Sequence, residues 1–295
     1  MQRQSLLLKH LLPSVLAESD DALPDIAKLA ETLKLRCPVS VAQYQEIRGN
    51  RLFRGVKSDA PYIRHDPTLK IRKSLGSTNL SLFYMANSDK WLADGIPPRN
   101  RSVIFTNSSN DAISYGDNVY FVFLEGDPVV GFGKHGDNYD NFRLGGEAVG
   151  IGFGYNVNEI DSTLKVLYDA FIYDNKNHSK SNSIFFSTDW KKIRTGLMAL
   201  DRAIKKNPGK LKDVSIPDHV RQRYDVVISK ILAQGGVMEF LDQLYDPLTN
   251  NIEAVKLSKL PKAPKATEYW STGVAHLIKT EYEGELSRAI SEPSI

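Results

Sequence analysis

Cysteine is nearly missing from this chain. Cys37 is the single one in 295 residues, which excludes an intramolecular disulfide framework and a cysteine-based zinc site. A reducing, cytoplasmic setting fits that usage. Long apolar runs are missing too: none approaches the ~18 residues that cross a bilayer. Residues 5–17 are leucine-rich but interrupted by Lys9, His10 and Pro13. They read as an amphipathic helix rather than a secretory core. Excess charge is small, with 38 basic against 35 acidic residues and a net of +3. The total therefore gives nucleic-acid binding no support. The glycine-rich run 146–156 lacks a G-x-G-x-x-G between strand and helix, and no G-K-[ST] follows it, so neither a dinucleotide fingerprint nor a P-loop is present. His135 and His276 show no metal-ligand spacing, and each is expected to be a surface or satisfied histidine. With 41% hydrophobic and 25% charged residues, the chain has the material for a sizeable core.

Apolar spacing predicts helices over residues 22–35 (stripe Ile26, Leu29, Leu33, Leu35) and 39–48. A strand is expected over 51–56. Its alternation puts Arg54 on the face of Leu52 and Val56, where a guanidinium needs a partner. That partner is either a structural carboxylate or a ligand phosphate or sugar hydroxyl. Gly55 beside it would let a ligand approach the backbone. Residues 57–77 read as a basic loop ending in a short strand at 69–72, and 80–95 as helical. Further strands are expected at 128–133, 184–188 and 252–257, with helices at 158–173, 189–206 (capped by Asp189), 217–234 and 237–245. Residues 267–279 read as two strands joined at Ser271–Gly273. The tail after Leu286 reads as polar and disordered or a partner contact.

The richest stretch is Arg99–Leu124. It reads as a strand over 102–105, a hydroxyl- and amide-bearing turn (Thr106, Asn107, Ser108, Ser109), a short helix capped by Ser109 or Asn110, a Tyr115-Gly116 turn and a second strand over 118–124. Gly116 is expected at positive φ. The stretch either delivers polar side chains to a ligand or simply caps a β-turn-α-turn-β connection.

Three segments together, LFRG (52–55), RSVIFTNSSNDAISYGDNVYFVF (101–123) and TEYW (267–270), resemble the arginine–serine–glutamate class of mono-ADP-ribosyltransferases, including its divergent phage forms. The resemblance implies an α+β fold, a split β-sandwich of ADP-ribosyltransferase type that holds NAD in a cleft without a Rossmann fold. Here it would carry an N-terminal helical segment (1–48), the main domain (49–285) with a helical insertion at about 158–246, and a polar tail (286–295). By the same resemblance Glu268 is the catalytic glutamate and Arg54 grips a phosphate or the nicotinamide-side ribose. Thr106 stands in the place of the family's first serine. Gly55, Phe105, Thr106, Ser108 and Tyr115 would join Arg54 in binding NAD. Ala266 replaces the Glu or Gln of arginine-modifying members. The implied activity is NAD-dependent transfer of ADP-ribose to a protein or nucleic-acid acceptor, or NAD hydrolysis. The alternative is a structural or interaction protein that keeps this fold with a degenerate site. A third class, nucleic-acid binding through the 57–73 loop, predicts steep salt dependence. Rival carboxylates are Glu125 and Glu147. The rival hydroxyl segment is Phe185–Thr188.

Overall fold

The computed structural model describes residues 25–46, 51–73, 79–133, 143–144, 147–148, 157–173, 183–210, 218–262 and 267–293. The helix expected at 5–17, His135, Ala266 and most of the glycine-rich run lie outside them. In chain order the elements begin with α1 (Ile26–Arg36), α2 (Pro38–Gln45), β1 (Phe53–Val56), β2 (Tyr62–His65), α3 (Leu80–Asn87) and α4 (Asp89–Ala93). Next come β3 (Val103–Thr106), α5 (Ser109–Ala112), β4 (Asn118–Leu124), β5 (Val129–Gly133), β6 (Arg143–Leu144) and β7 (Glu147–Ala148). Then follow α6 (Val157–Tyr173), α7 (Trp190–Lys206), α8 (Asp218–Ala233), α9 (Val237–Leu244), β8 (Ile252–Lys256), β9 (Glu268–Ser271), β10 (Ala275–Lys279) and α10 (Glu283–Ser291). The protein is thus a mixed α+β chain. No described helix is long and apolar enough to cross a membrane.

The chain divides into two compact units. One comprises residues 1–70, 103–130 and 255–295, the other 71–102 and 131–254. The first is built on an open sheet whose full order is β2-β10-β4-β1-β3-β9-β5-β8, with β5 and β8 crossing the division. From β2 to β9 every pairing is antiparallel. The ladders are unequal. β4 pairs with β10 over five residues and with β1 over four, whereas β1 meets β3 through the single register pair Phe53↔Thr106. One face of this half-sheet is covered by helices. Phe121, Phe123 and Ile278 pack with Leu29, Ala30 and Leu33 of α1, Val41 and Tyr44 of α2, and Leu286 and Ile290 of α10.

The second unit is helical. α6, α7 and α9 bury Ile160, Leu164, Leu167, Ile193, Leu197, Leu200, Phe240 and Leu244. Asp189 caps α7 by accepting the Lys191 N–H at 2.9 Å, as its position before the apolar run predicts. Asp161, fully buried, accepts the Ser81 N–H and the Tyr245 hydroxyl, both at 3.0 Å, and so ties α3 and α9 to α6.

Several expectations fail for identifiable reasons. The strand expected at 69–72 lies instead at Tyr62–His65, where β10 supplies a partner. Asp66 turns the chain by accepting the Thr68 N–H, and Leu69 is 82% exposed with no face to cover. Residues 183–185 are helical rather than extended, despite the Ile-Phe-Phe composition. Asn79 takes their carbonyls out of any ladder. Its backbone N–H donates to Phe185 O and its amide to Phe186 O and Ser187 O. The helix expected over 80–95 breaks at Ser88. The polar tail is α10, because Leu286 and Ile290 stand one helical turn apart and both are buried. In α1 the buried stripe runs through Leu29, Ala30 and Leu33, while Leu35 is 73% exposed.

Candidate active site

Antiparallel register brings the sequence-selected strands side by side. Thr106, the last residue of β3, is the direct partner of Glu268, the first of β9. On its other side Thr106 faces Phe53 of β1. Directly opposed residues share a face of the sheet. Thr106 and Glu268 therefore stand together, both buried, at 3% and 6% exposure.

The connection after β3 folds over this pair. Thr106 Oγ1 accepts the Ser108 N–H at 3.2 Å, and Ser108 Oγ accepts the Asp111 N–H at 3.2 Å. Ser108, not Ser109 or Asn110, is thus the cap of α5. Asn107 Oδ1 accepts the Thr267 N–H at 2.8 Å, which pins the chain one residue before Glu268. Tyr115 ends the turn after α5, and its hydroxyl donates to Glu268 Oε2 at 3.1 Å.

Two glycines let the connection sit this close. A Cβ on Gly55 would come 1.9 Å from the Ala112 carbonyl oxygen. A Cβ on Gly116 would lie 2.5–2.7 Å from the Val56 backbone. The expected positive φ at Gly116 is not found. Its φ is 172°, extended backbone, so the glycine answers crowding and not handedness. Gly55 likewise serves a close approach, but the approaching group is the chain's own Ala112 rather than a ligand.

Arg54 is one residue from Phe53, and strand alternation turns it to the opposite face. Its Nη1 donates to the Ile104 carbonyl, beside the point where the β1–β3 ladder stops. Its charge also helps hold the His65 imidazole below its ordinary pKa, after burial, which is the larger cause. Phe105 is buried and stacks on Tyr269, with centroids 5.8 Å apart and planes at 22°. The structure therefore groups Thr106, Ser108, Tyr115 and Glu268. It sets Arg54 on the neighbouring strand with its side chain on the other face, and it gives Phe105 to the core.

No protein-family model, curated protein or solved structure matches this chain. The site has to be read from its own geometry. A buried carboxylate at a strand end, oriented by a phenol and flanked by a threonine, can accept a hydrogen bond from a ligand hydroxyl or stabilise a developing positive charge.

The rival residues sort clearly. Glu147 lies in β7, a two-residue strand paired with β6 in the other unit, as part of a different sheet. Ser187 lies in that other unit too, and its hydroxyl accepts the Asp189 N–H. Glu125, just past β4, is different. Its Oε1 accepts from His276 Nε2 at 2.9 Å, and Tyr62 holds His276 Nδ1 at 2.8 Å. His276 is fully buried, a satisfied histidine as its apolar setting predicts. Burial outweighs Glu125 and keeps the imidazole below its ordinary pKa. Burial alone would raise the Glu125 carboxyl, but His276, Arg64 and Arg36 hold it below its ordinary value. The phenol of Tyr62 is pushed up to about 12 by burial. An ionised carboxylate only accepts, so His276 donates from Nε2, and its neutral ring accepts the Tyr62 proton at Nδ1. The only sequence signal for this chain was a histidine inside the apolar run of β10. The roles of Asn107 and of the Tyr115 hydroxyl had no signal beyond residue type.

Proposed function

We propose that the chain is an NAD-dependent ADP-ribosyltransferase that moves ADP-ribose to a protein or nucleic-acid acceptor and releases nicotinamide. One observation carries this reading. The three segments that resemble the family are adjacent strands, β1-β3-β9, with Phe53, Thr106 and Glu268 in one register row. The lone register pair between β1 and β3 also suits a sheet that divides at that point, as a split sandwich requires.

The chemistry follows from the residue types. The bond between nicotinamide and ribose C1′ breaks, nicotinamide leaves as the neutral base, and the ribose becomes oxocarbenium-like. A carboxylate bonded to a ribose hydroxyl stabilises that charge as it develops. The acceptor's lone pair then closes on C1′ and its proton is lost to solvent. Glu268 is the carboxylate, and Thr106 and Ser108 shape its surroundings. Arg54, whose side chain lies on the opposite face and donates to the Ile104 carbonyl, does not stand beside Glu268 in this arrangement.

A second reading, an interaction protein with a degenerate site, is favoured by a specific observation. Thr106 and Ser108 hydroxyls already accept backbone N–H groups, and Glu268 is almost wholly covered. Nicotinamide release from NAD by the purified chain separates the two. We expect release, and loss of at least about a hundredfold in Glu268→Ala, the scale on which removing one transition-state-stabilising group acts. Release unchanged in Glu268→Ala refutes the assigned role, and absence of any release leaves the second reading.

A further inference from the structure

A second polar cluster lies in the same unit, on β2, β10 and the end of β4, away from β3 and β9 in the strand order. Glu125 is its hub. Arg36 Nη1, from the last turn of α1, and Arg64 Nη2, from β2, both reach its Oε1 at 3.4 Å. That distance is long for a charge-assisted pair, which closes to about 2.7–2.9 Å. The same oxygen already receives His276, while Oε2 receives no described donor. Among the described residues neither guanidinium has any other hydrogen-bonded side-chain partner. Arg64 feels Asp66, but that carboxylate accepts from the Thr68 hydroxyl and N–H. Arg36, Arg64 and Glu125 are each about a quarter to a third exposed, so the cluster opens to solvent.

Two cations thus crowd one carboxylate oxygen without forming a bidentate fork, and most of their donors are unspent. Behind them a fully buried histidine orients Glu125 through Nε2, while Tyr62 fixes the ring by donating to Nδ1. A supporting shell of this kind is how proteins hold a binding carboxylate in place. We propose that Arg36, Arg64 and Glu125 form a binding site for a protonated phosphate, either the free ion or a monoester. The two guanidinium groups take its anionic oxygens, and its P–OH donates to Glu125 Oε2. A fully deprotonated oxyanion has no such donor and meets the carboxylate's charge unrelieved.

Thermal unfolding of the full chain at about pH 6, where a phosphoryl group keeps part of its second proton, tests this. Potassium phosphate and potassium sulfate are compared at matched ionic strength. Phosphate is expected to raise the midpoint saturably by mass action, and sulfate several-fold less at equal concentration. Arg64→Gln abolishes the phosphate increment. Arg64→Lys, which keeps the charge and the fold but not the planar fork, weakens phosphate at least several-fold. Glu125→Gln removes the discrimination, so that sulfate matches phosphate. Phenyl phosphate separates the sources: tighter binding than inorganic phosphate assigns a monoester, weaker binding the free ion. Equal stabilisation of the wild type by sulfate and phosphate overturns the proposal. So does a phosphate increment that survives unweakened in either Arg64 variant.

Discussion

Replacing Tyr115 by phenylalanine keeps the ring and removes one proton donor from Glu268. A hydrogen bond to a charged acceptor contributes about 1.5–3 kcal/mol. Tyr115 is 42% exposed, so water can reach the ring side, but Glu268 is only 6% exposed and its carboxylate regains little. The lower half of that range, about 1.5–2 kcal/mol, is therefore expected. With a urea slope of about 1–3 kcal/mol per molar, the midpoint should fall by roughly 0.5–2 M. Urea unfolding is followed by the fluorescence of Trp270, which lies in β9 two residues from Glu268, in a background with Trp91 and Trp190 replaced by phenylalanine. Glu268→Gln and the double variant complete the cycle. Residues that share a hydrogen bond couple by about 0.5–3 kcal/mol, whereas independent sites add. If Tyr115→Phe unfolds at the wild-type midpoint, or its loss simply adds to that of Glu268→Gln, then the phenol does not hold the carboxylate.

Three other outcomes follow from the described contacts. Gly55→Ala places a methyl 1.9 Å from the backbone oxygen of Ala112, and a loss of about 3 kcal/mol or more is expected in urea unfolding, at the upper end for overpacking. Stability should decline as pH falls. The folded His276 has its pKa below the unfolded value of about 6.5, so the unfolded chain takes up the proton first, and stability present above that pH is lost below it. Glu125, also depressed, adds a second loss as pH falls below about 4.5. Both are read as unfolding midpoints between about pH 8 and 3, and a flat profile would contradict them. Cys37 is buried and its thiol is pushed up to about 12 by desolvation, so an aromatic disulfide reagent should label it only at the rate of unfolding.

Much of the scaffold is readable in residue order. The density of β-branched and aromatic residues in 118–124 returns as β4 with the same bounds, and Asp189 caps α7 where the apolar period begins. What fails is decided by partners far along the chain. Residues 184–188 have strand composition but meet Asn79, and α10 has few apolar residues but places two of them against α1. For the site, the family resemblance singled out Thr106 and Glu268, and only register makes them neighbours. The same register turns Arg54 to the other face, because a shift of one position along a strand reverses the side chain. The Glu125–His276–Tyr62 chain could not be read from sequence, since three strand ends have to meet before it exists.

The strands β9 and β10 follow one another in the chain, yet β9 joins β3 and β5 while β10 joins β4 and β2. The five residues from Ser271 to Ala275 therefore carry the chain from one half of the sheet to the other. During synthesis, β3 and β4 follow their shared partner β1 but emerge long before their outer partners, β9 and β10. They have to wait with open edges, exposed to pairing with other chains, until residues 268–279 arrive. Glu268 leads that late segment, so the carboxylate reaches its place in the same step that closes the sheet. A nascent chain therefore has no candidate site before the sheet is closed, because Thr106 gains its partner Glu268 only with β9.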